Sequence, residues 1–446
     1  MRISIREPQA WILPILIALA SMNGLIKAIT GVRYFPLLID ISLIVLLVTS
    51  IAIRFIVDYP KIGILDLLGL AFIAIAIVAM FNPNIPSLQA GVEGFRKFSF
   101  MMIGFFIGRY AIRSLTTIKR IVLVLVTLPV LISLYGIKQY LFPSTLDYRL
   151  IDLSSASRVT YLMGGHIRAF STLSGPFHLG IFLVVSLLLL LAITLKIRKY
   201  RLVALILGVP QVIALLMTVT KSNWAALIAG GLALILLSAR HPLRMVWRVV
   251  ILAIIVLVLI FGALQFTQNI TELKTLNEGI LALINPLSAP TVIIRVNLWR
   301  ETIIPLIKEA ILFGYGTGSA GEGLSNLFTN TNSIFVTSHN ILLKIQFELG
   351  IIGLAVFLIF IFVCVLHIFR TNRKIQEPFI QAIRDWSLAM TVAILVSGLT
   401  GAILDAYPTN FIFWLLLGIS TNLNRFDGQM ADSKVDRKLV IVLSNP

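Results

Sequence analysis

A chain of 446 residues is long enough for two or three water-soluble domains, but 58% hydrophobic and only 13% charged residues, with a mean hydropathy of +0.98, exclude that organisation. Apolar runs of about 20 residues, long enough to cross a bilayer as helices, recur from end to end. The net charge of +18 does not point to nucleic acid, because the basic residues sit in short clusters between apolar runs and not on one polar face.

In chain order, Arg2 and Arg6 followed by Trp11 to Ala20 look like a signal peptide, with Ala18-Leu19-Ala20 in the place of a cleavage site. With many spans behind it, the segment reads instead as an uncleaved first helix. Spans are expected at 10–29, 35–56, 62–81, 96–112, 119–142, 175–195, 201–219, 222–239, 245–267, 340–369, 382–403 and 408–423. The expected fold is therefore all-α, a polytopic membrane protein of about twelve transmembrane helices. The seventh and eighth spans nearly abut at Thr220-Lys221-Ser222, which predicts a tight helical hairpin.

An even number of spans puts both termini on one side. Arg109, Arg113, Lys119 and Arg120 fall on that side, as do Lys196, Arg198, Lys199 and Arg201. Arg240, Arg244 and Arg248 join them, then Arg370, Arg373, Lys374 and Arg384. That face is expected to be cytoplasmic. Two connections on the opposite, outer face are too long for turns: 143–174 and 268–338. The longer contains a helix-like stretch, Val292 to Ile304, ended by Pro305. A glycine-rich stretch follows, Gly314-Tyr315-Gly316-Thr317-Gly318 and then Gly321 and Gly323. The expected organisation is one transmembrane domain, 1–423, with a cytoplasmic tail, 424–446.

The single cysteine, Cys364, lies inside an apolar run and can build neither a disulfide within the chain nor a cysteine metal site. Asp40 and Asp66 lie within spans but near helix ends, so they read as solvated or paired, and Asp405 stands at an outer turn beside a place for a cation. The sharpest motif opens the tenth span: His339-Asn340, nine residues, Gly350, two residues, Gly353. On a continuous helix turning about 100° per residue, His339, Leu343, Gln346, Gly350 and Gly353 lie within about 40° of one meridian. That pattern suits a histidine with a chemical task at the outer end of a packing seam. It equally suits a headgroup-level histidine above a Gly-x-x-Gly contact.

His339-Asn340-x9-Gly350-x2-Gly353 resembles the signature of the O-antigen ligase family, in which the histidine follows a long periplasmic loop. Arg295-x3-Trp299 and Phe313-Gly314-Tyr315-Gly316 precede it in the family's order. Thr220-Lys221-Ser222-Asn223-Trp224 and Gly175-Pro176-Phe177-His178-Leu179-Gly180 resemble two further segments, with Lys221 where the family has arginine and His178 where it has asparagine. The resemblance covers roughly residues 165 to 420.

It implies a GT-C-like enzyme at the outer face of a bacterial inner membrane. Such an enzyme transfers a glycan from an undecaprenyl-diphosphate carrier to an acceptor such as lipid A-core, without metal or cofactor. A diphosphate leaves readily, so no carboxylic acid is required to protonate it. What remains is a base for the acceptor hydroxyl, His339, and cations for the leaving diphosphate, Arg295 and Lys221. Arg168, Arg300, Asn340 and Trp299 are further substrate-contacting candidates, and Arg158 is another cation near this face. Arg295 and Trp299 share a helix face, whereas Arg300 points about 140° away from Arg295. The glycine run offers amides to a phosphate, or is a plain flexible loop. A polymerase of O-antigen or exopolysaccharide repeats shares this chemistry and is the alternative. A secondary transporter, the rival from another class, predicts charges and broken helices near the bilayer midplane.

Overall fold

The computed structural model describes residues 9–30, 35–57, 62–152, 160–163, 166–238, 290–321, 324, 328, 334–371, 374–401, 403–405 and 407–427. The ninth expected span, 245–267, much of the long connection 268–338 with its Gly323, and Arg158 lie outside these residues, as does most of the tail. Within them the protein is an all-α membrane protein, apart from two paired two-residue strands, β1 (Leu162–Met163) and β2 (His166–Ile167), and one isolated β-bridge between Ala320 and Val336.

Its helices, in order, are α1 (Gln9–Ser21), α2 (Asn23–Thr30), α3 (Phe35–Val57), α4 (Ile64–Ala79), α5 (Leu88–Lys97), α6 (Ile103–Phe106), α7 (Leu115–Leu141) and α8 (Thr145–Asp152). They continue with α9 (Pro176–Lys196), α10 (Arg201–Met217), α11 (Lys221–Ser238), α12 (Pro290–Leu298), α13 (Ile304–Glu309), α14 (Ile341–Thr371), α15 (Pro378–Gly398) and α16 (Thr409–Ser420). Among the described residues seven stretches are long and apolar enough to cross a bilayer unaided, and α1, α4 and α16 are shorter apolar helices. The fourth expected span is composite: a 3-10 turn at Phe100–Met102, then α6, then a π turn at Ile107–Ala111.

Burial sorts these helices. The apolar window of α9 is 72% buried and that of α15 is 67% buried, against 28% for the window on α3. The first two therefore form the centre, and the third meets lipid with a row of exposed residues including Leu38, Ile41 and Val45. Prolines at the first turns of α9 and α15 start both central helices where no intrahelical N–H is needed. Every residue of α16 is buried. It lies against α6 and the following π turn because Gly104, Gly108 and Gly418 leave room for the facing backbone, as small residues do between membrane helices.

The two in-span aspartates are paired, as expected. Asp40 binds Arg96 at 2.9 Å and also accepts the Tyr407 hydroxyl, and Asp66 binds Arg109 at 2.8 Å. Arg109 therefore belongs to the helical run and not to the connection after it. A second correction concerns Pro305. The helix is not ended there but continues from α12 through a π turn, Trp299–Ile303, into α13. A proline ring collides with the carbonyl four residues back, and widening the preceding turn relieves that collision. The described parts of the connection 143–174 are also tied into the fold. Asp147 takes Lys138 and the Tyr135 hydroxyl at the end of α7, and Gln139 Oε1 accepts the amides of Phe170 and Ser171.

Candidate functional site

His339 stands outside α14, with a φ of +47°. The expected helix continuous from this residue is not formed. A left-handed conformation at a non-glycine residue needs fixing from its surroundings, and both neighbours supply it. On one side the Trp299 indole donates to the Ser338 carbonyl at 2.6 Å. On the other, Asn340 caps α14: its Oδ1 accepts from the amides of Leu342 (2.9 Å) and Leu343 (3.1 Å). Its Nδ2 donates to the Leu399 carbonyl at 3.1 Å, beyond the end of α15. The imidazole is half-buried, presented from a backbone pinned to three separate elements.

Nine residues into α14, Gly350 has φ 67° and ψ −173°, and the helix breaks. The meridian predicted through His339, Gly350 and Gly353 therefore does not exist. The break receives the glycine run. Tyr315 and Gly316 donate their amides to the carbonyls of Phe347 (2.8 Å) and Glu348 (2.9 Å), and Ile351 donates to the Ile311 carbonyl (2.8 Å). Positive φ at alternate glycines, 314, 316 and 318, lets the ribbon fold into this space. Its other side lies on α4 and α5: Thr317 donates its amide to Ala79 and its hydroxyl to Gly91, and Asn82 Nδ2 donates to the Gly314 carbonyl.

Residues 314–321 are buried, and most of their amides are spent on protein acceptors. The run is neither a phosphate cradle nor a flexible loop. It is a plug in the broken helix.

Beneath the plug lies a charge cluster that sequence reading did not single out. Lys344 Nζ donates to Glu348 (2.7 Å) and to the Ala320 carbonyl (2.9 Å), and pairs with Asp405 at 3.4 Å. Glu348 Oε1 also accepts the amides of Gly318 and Ala320. Lys344 and Glu348 are each 2% exposed. Two charges four residues apart inside a span were a signal that could have found them. Asp405, expected to help hold a cation of the outer face, pairs instead with Lys344, a buried residue of α14.

The other candidates gather at the same end of α9, α10 and α11. The expected hairpin forms, with Lys221 opening α11 after a turn in which Val219 has a φ of +50°. Arg168 holds that turn: Nε and Nη2 donate to the carbonyls of Thr218 (2.9 Å) and Val219 (3.2 Å), and Nη1 to Thr160 (3.0 Å). Burial, reinforced by the positive charge of Arg295, lowers the Arg168 pKa to about 10. Arg168 and Arg295 therefore lie within electrostatic reach of one another. Asn223 ties α11 to its neighbours, donating to the Phe177 carbonyl (2.8 Å) and accepting from Ser397 (2.7 Å). Arg295 and Trp299 are half-buried, while Arg300 is exposed, as the helical offset predicted. His178 lies 3.5 Å from the Ser174 hydroxyl.

Among the described residues no group of three or more His, Cys, Asp or Glu side chains is arranged to hold a metal ion. No curated protein matches the chain. One family model does, over a narrower stretch than the motifs suggested: it takes in Lys221, Arg295, Trp299, Arg300, the glycine run, His339 and Asn340, but neither Arg168 nor Gly175–Gly180. The model is that of the O-Antigen ligase family, and the stretch of this chain that is similar to it is residues 206–358.

Proposed function

We propose that this protein is a metal-independent, inverting membrane glycosyltransferase of the O-antigen ligase type. It takes a glycan from an undecaprenyl-diphosphate carrier and joins it to an acceptor hydroxyl, on lipid A-core or a similar glycan, at the periplasmic face of a bacterial inner membrane. The observation that carries this reading is the half-buried His339, held at a positive φ by Trp299 and Asn340 inside a domain matched to that family. Strained backbone held by its surroundings concentrates at functional sites. The imidazole accepts the acceptor's hydroxyl proton, the oxygen attacks the anomeric carbon from the opposite side, and the bond to diphosphate breaks with its electron pair on the leaving group. Arg295 and Lys221 face the charge that grows there.

Arg168, Asn340 and Trp299 take positioning roles. Their polar groups already serve the Lys221 turn and the His339 backbone.

In a transfer assay with purified protein in EDTA, Arg295→Ala should lower the rate by about 10²-fold or more, the usual loss for one charge-stabilising donor. Arg300→Ala should stay close to wild type. Lys221→Arg should retain or raise activity, because a fork-shaped cation suits diphosphate at least as well as an ammonium. Equal losses at Arg295 and Arg300, or an absolute need for a divalent ion, would refute the cation assignment.

Sidedness is tested separately. Reporter fusions near residues 115, 200 and 375 should report cytoplasm, and fusions near 155 and 290 the outside. A cytoplasmic signal at 290 would place the site on the wrong face for a periplasmic acceptor.

A further inference from the structure

At the end of α14 opposite His339, a cavity of about 760 Å³ is walled by the last turns of α9, α11 and α14 and the first turns of α15. Its size is that of an ordinary small-ligand site. Lys196, Lys374 and Arg384 line it, and no acidic residue does so among the described residues.

One buried carboxylate stands behind this wall. Asp385, fully buried, binds Lys196 Nζ at 2.8 Å and Arg384 Nη2 at 2.7 Å, so it fixes two cations while neutralising only one charge. The nearby Asp427 is turned onto the amides of Gln376 (3.2 Å) and Glu377 (3.0 Å). Among the described lining residues the charge is therefore wholly positive, and two of its three cations are held in place. Scattered cations that only orient spans in the membrane need no such wall and no buried carboxylate to set their positions.

The apolar lining identifies the ligand's other half. Leu236 and Phe369 also line the cavity. They are 52% and 53% exposed in the last turns of membrane-crossing helices, where exposed apolar side chains meet acyl chains. Fixed cations beside lipid-facing apolar residues match a molecule with an anionic head and hydrocarbon tails. We propose that this cavity binds the phosphate headgroup of an anionic phospholipid, with its acyl chains along α11 and α14. The site is independent of the glycan-transfer reading and stands or falls without it.

The test uses the full-length protein, delipidated in detergent and titrated with phosphatidylglycerol, phosphatidylcholine or inorganic phosphate. Retained lipid is read by native mass spectrometry and stabilisation by the rise in Tm. Phosphatidylglycerol should be retained and should raise Tm more than phosphatidylcholine. Lys374 is exposed, so its variants should fold. Lys374→Glu should weaken retention about 30-fold, the loss for reversing one charge at a membrane surface, and Lys374→Arg should bind as wild type. Lys199→Glu, at an exposed residue near the same end but outside the cavity, should have several-fold less effect than Lys374→Glu. Equal binding of phosphatidylcholine, or equal effects of Lys374→Glu and Lys199→Glu, would overturn the site. The same stabilisation by inorganic phosphate would overturn the assignment to lipid.

Discussion

His339→Ala should lower glycan transfer by about 10²–10⁴-fold, the usual contribution of a general base, while the protein still inserts and elutes as one species. A neutral imidazole accepts protons at ordinary pH, and no other side chain offers this with so small an adjustment. The backbone supplies a confounding effect that the experiment must remove. At a φ of +47° an alanine is itself strained, so loss of activity could reflect a shifted segment. His339→Asn separates the two explanations, because asparagine tolerates this conformation but is no base. Both variants should be equally inactive and His339→Asn should melt close to wild type. His178→Ala should retain most activity. So should His367→Ala, whose ring contacts the Thr421 carbonyl near the far end of α14. Near-normal transfer by a folded His339→Asn protein would refute the base assignment and leave a headgroup-level histidine.

Much of the frame was legible because crossing a bilayer requires long apolar runs, and run length survives without any knowledge of tertiary contacts. Eleven of the twelve expected spans correspond to helices among the described residues: seven long ones, three short ones and the composite one around α6. The hairpin at Lys221 was legible for the same reason, two runs with almost nothing between them. That Asp40 and Asp66 would be solvated or paired followed from the expense of a lone charge in lipid, although sequence neither chose between the two nor named Arg96 and Arg109 as partners.

The inner construction of the site was not legible, because its contacts join segments far apart in the chain. Gly350 in an apolar run reads as a packing glycine. Only the ribbon 311–316, some 35 residues earlier, makes it a break. The acceptor of the Trp299 indole, the Ser338 carbonyl, is a backbone group that carries no sequence signal. The same contacts bear on the transporter alternative. Broken helices in transporters leave carbonyls and amides for an ion or substrate. Here the carbonyls of Phe347 and Glu348 and the amide of Ile351 are bound to the glycine ribbon, and Lys344 with Glu348 and Asp405 closes the space beneath. The break is filled by protein, which suits a fixed scaffold better than a path.

Gly350→Ala tests that break by the sign of its effect. In a continuous helix, exchanging glycine for alanine is stabilising by up to about 1 kcal/mol, because alanine has the higher helix propensity. In the observed conformation the exchange acts in the opposite direction. A φ of 67° with a ψ of −173° belongs to a region that essentially only glycine occupies, and forcing another residue there costs about 1–3 kcal/mol. A Cβ at this position would also overlap the Leu312 carbonyl and the Phe313 amide, so the ribbon must move. Displacing it disturbs the amides that satisfy Glu348, and a buried charge left short of partners adds several kcal/mol more. The expected loss of roughly 3 kcal/mol or more is a large part of a typical folding free energy. Gly350→Ala should therefore melt well below wild type in detergent or fail to elute as a single species. Gly208→Ala is the control: its added Cβ would meet nothing closer than 3.8 Å, so it should be neutral or slightly stabilising. If Gly350→Ala melted at or above the wild-type temperature, α14 would be continuous, the ribbon would not be seated in it, and the packing-seam reading of His339, Gly350 and Gly353 would be restored.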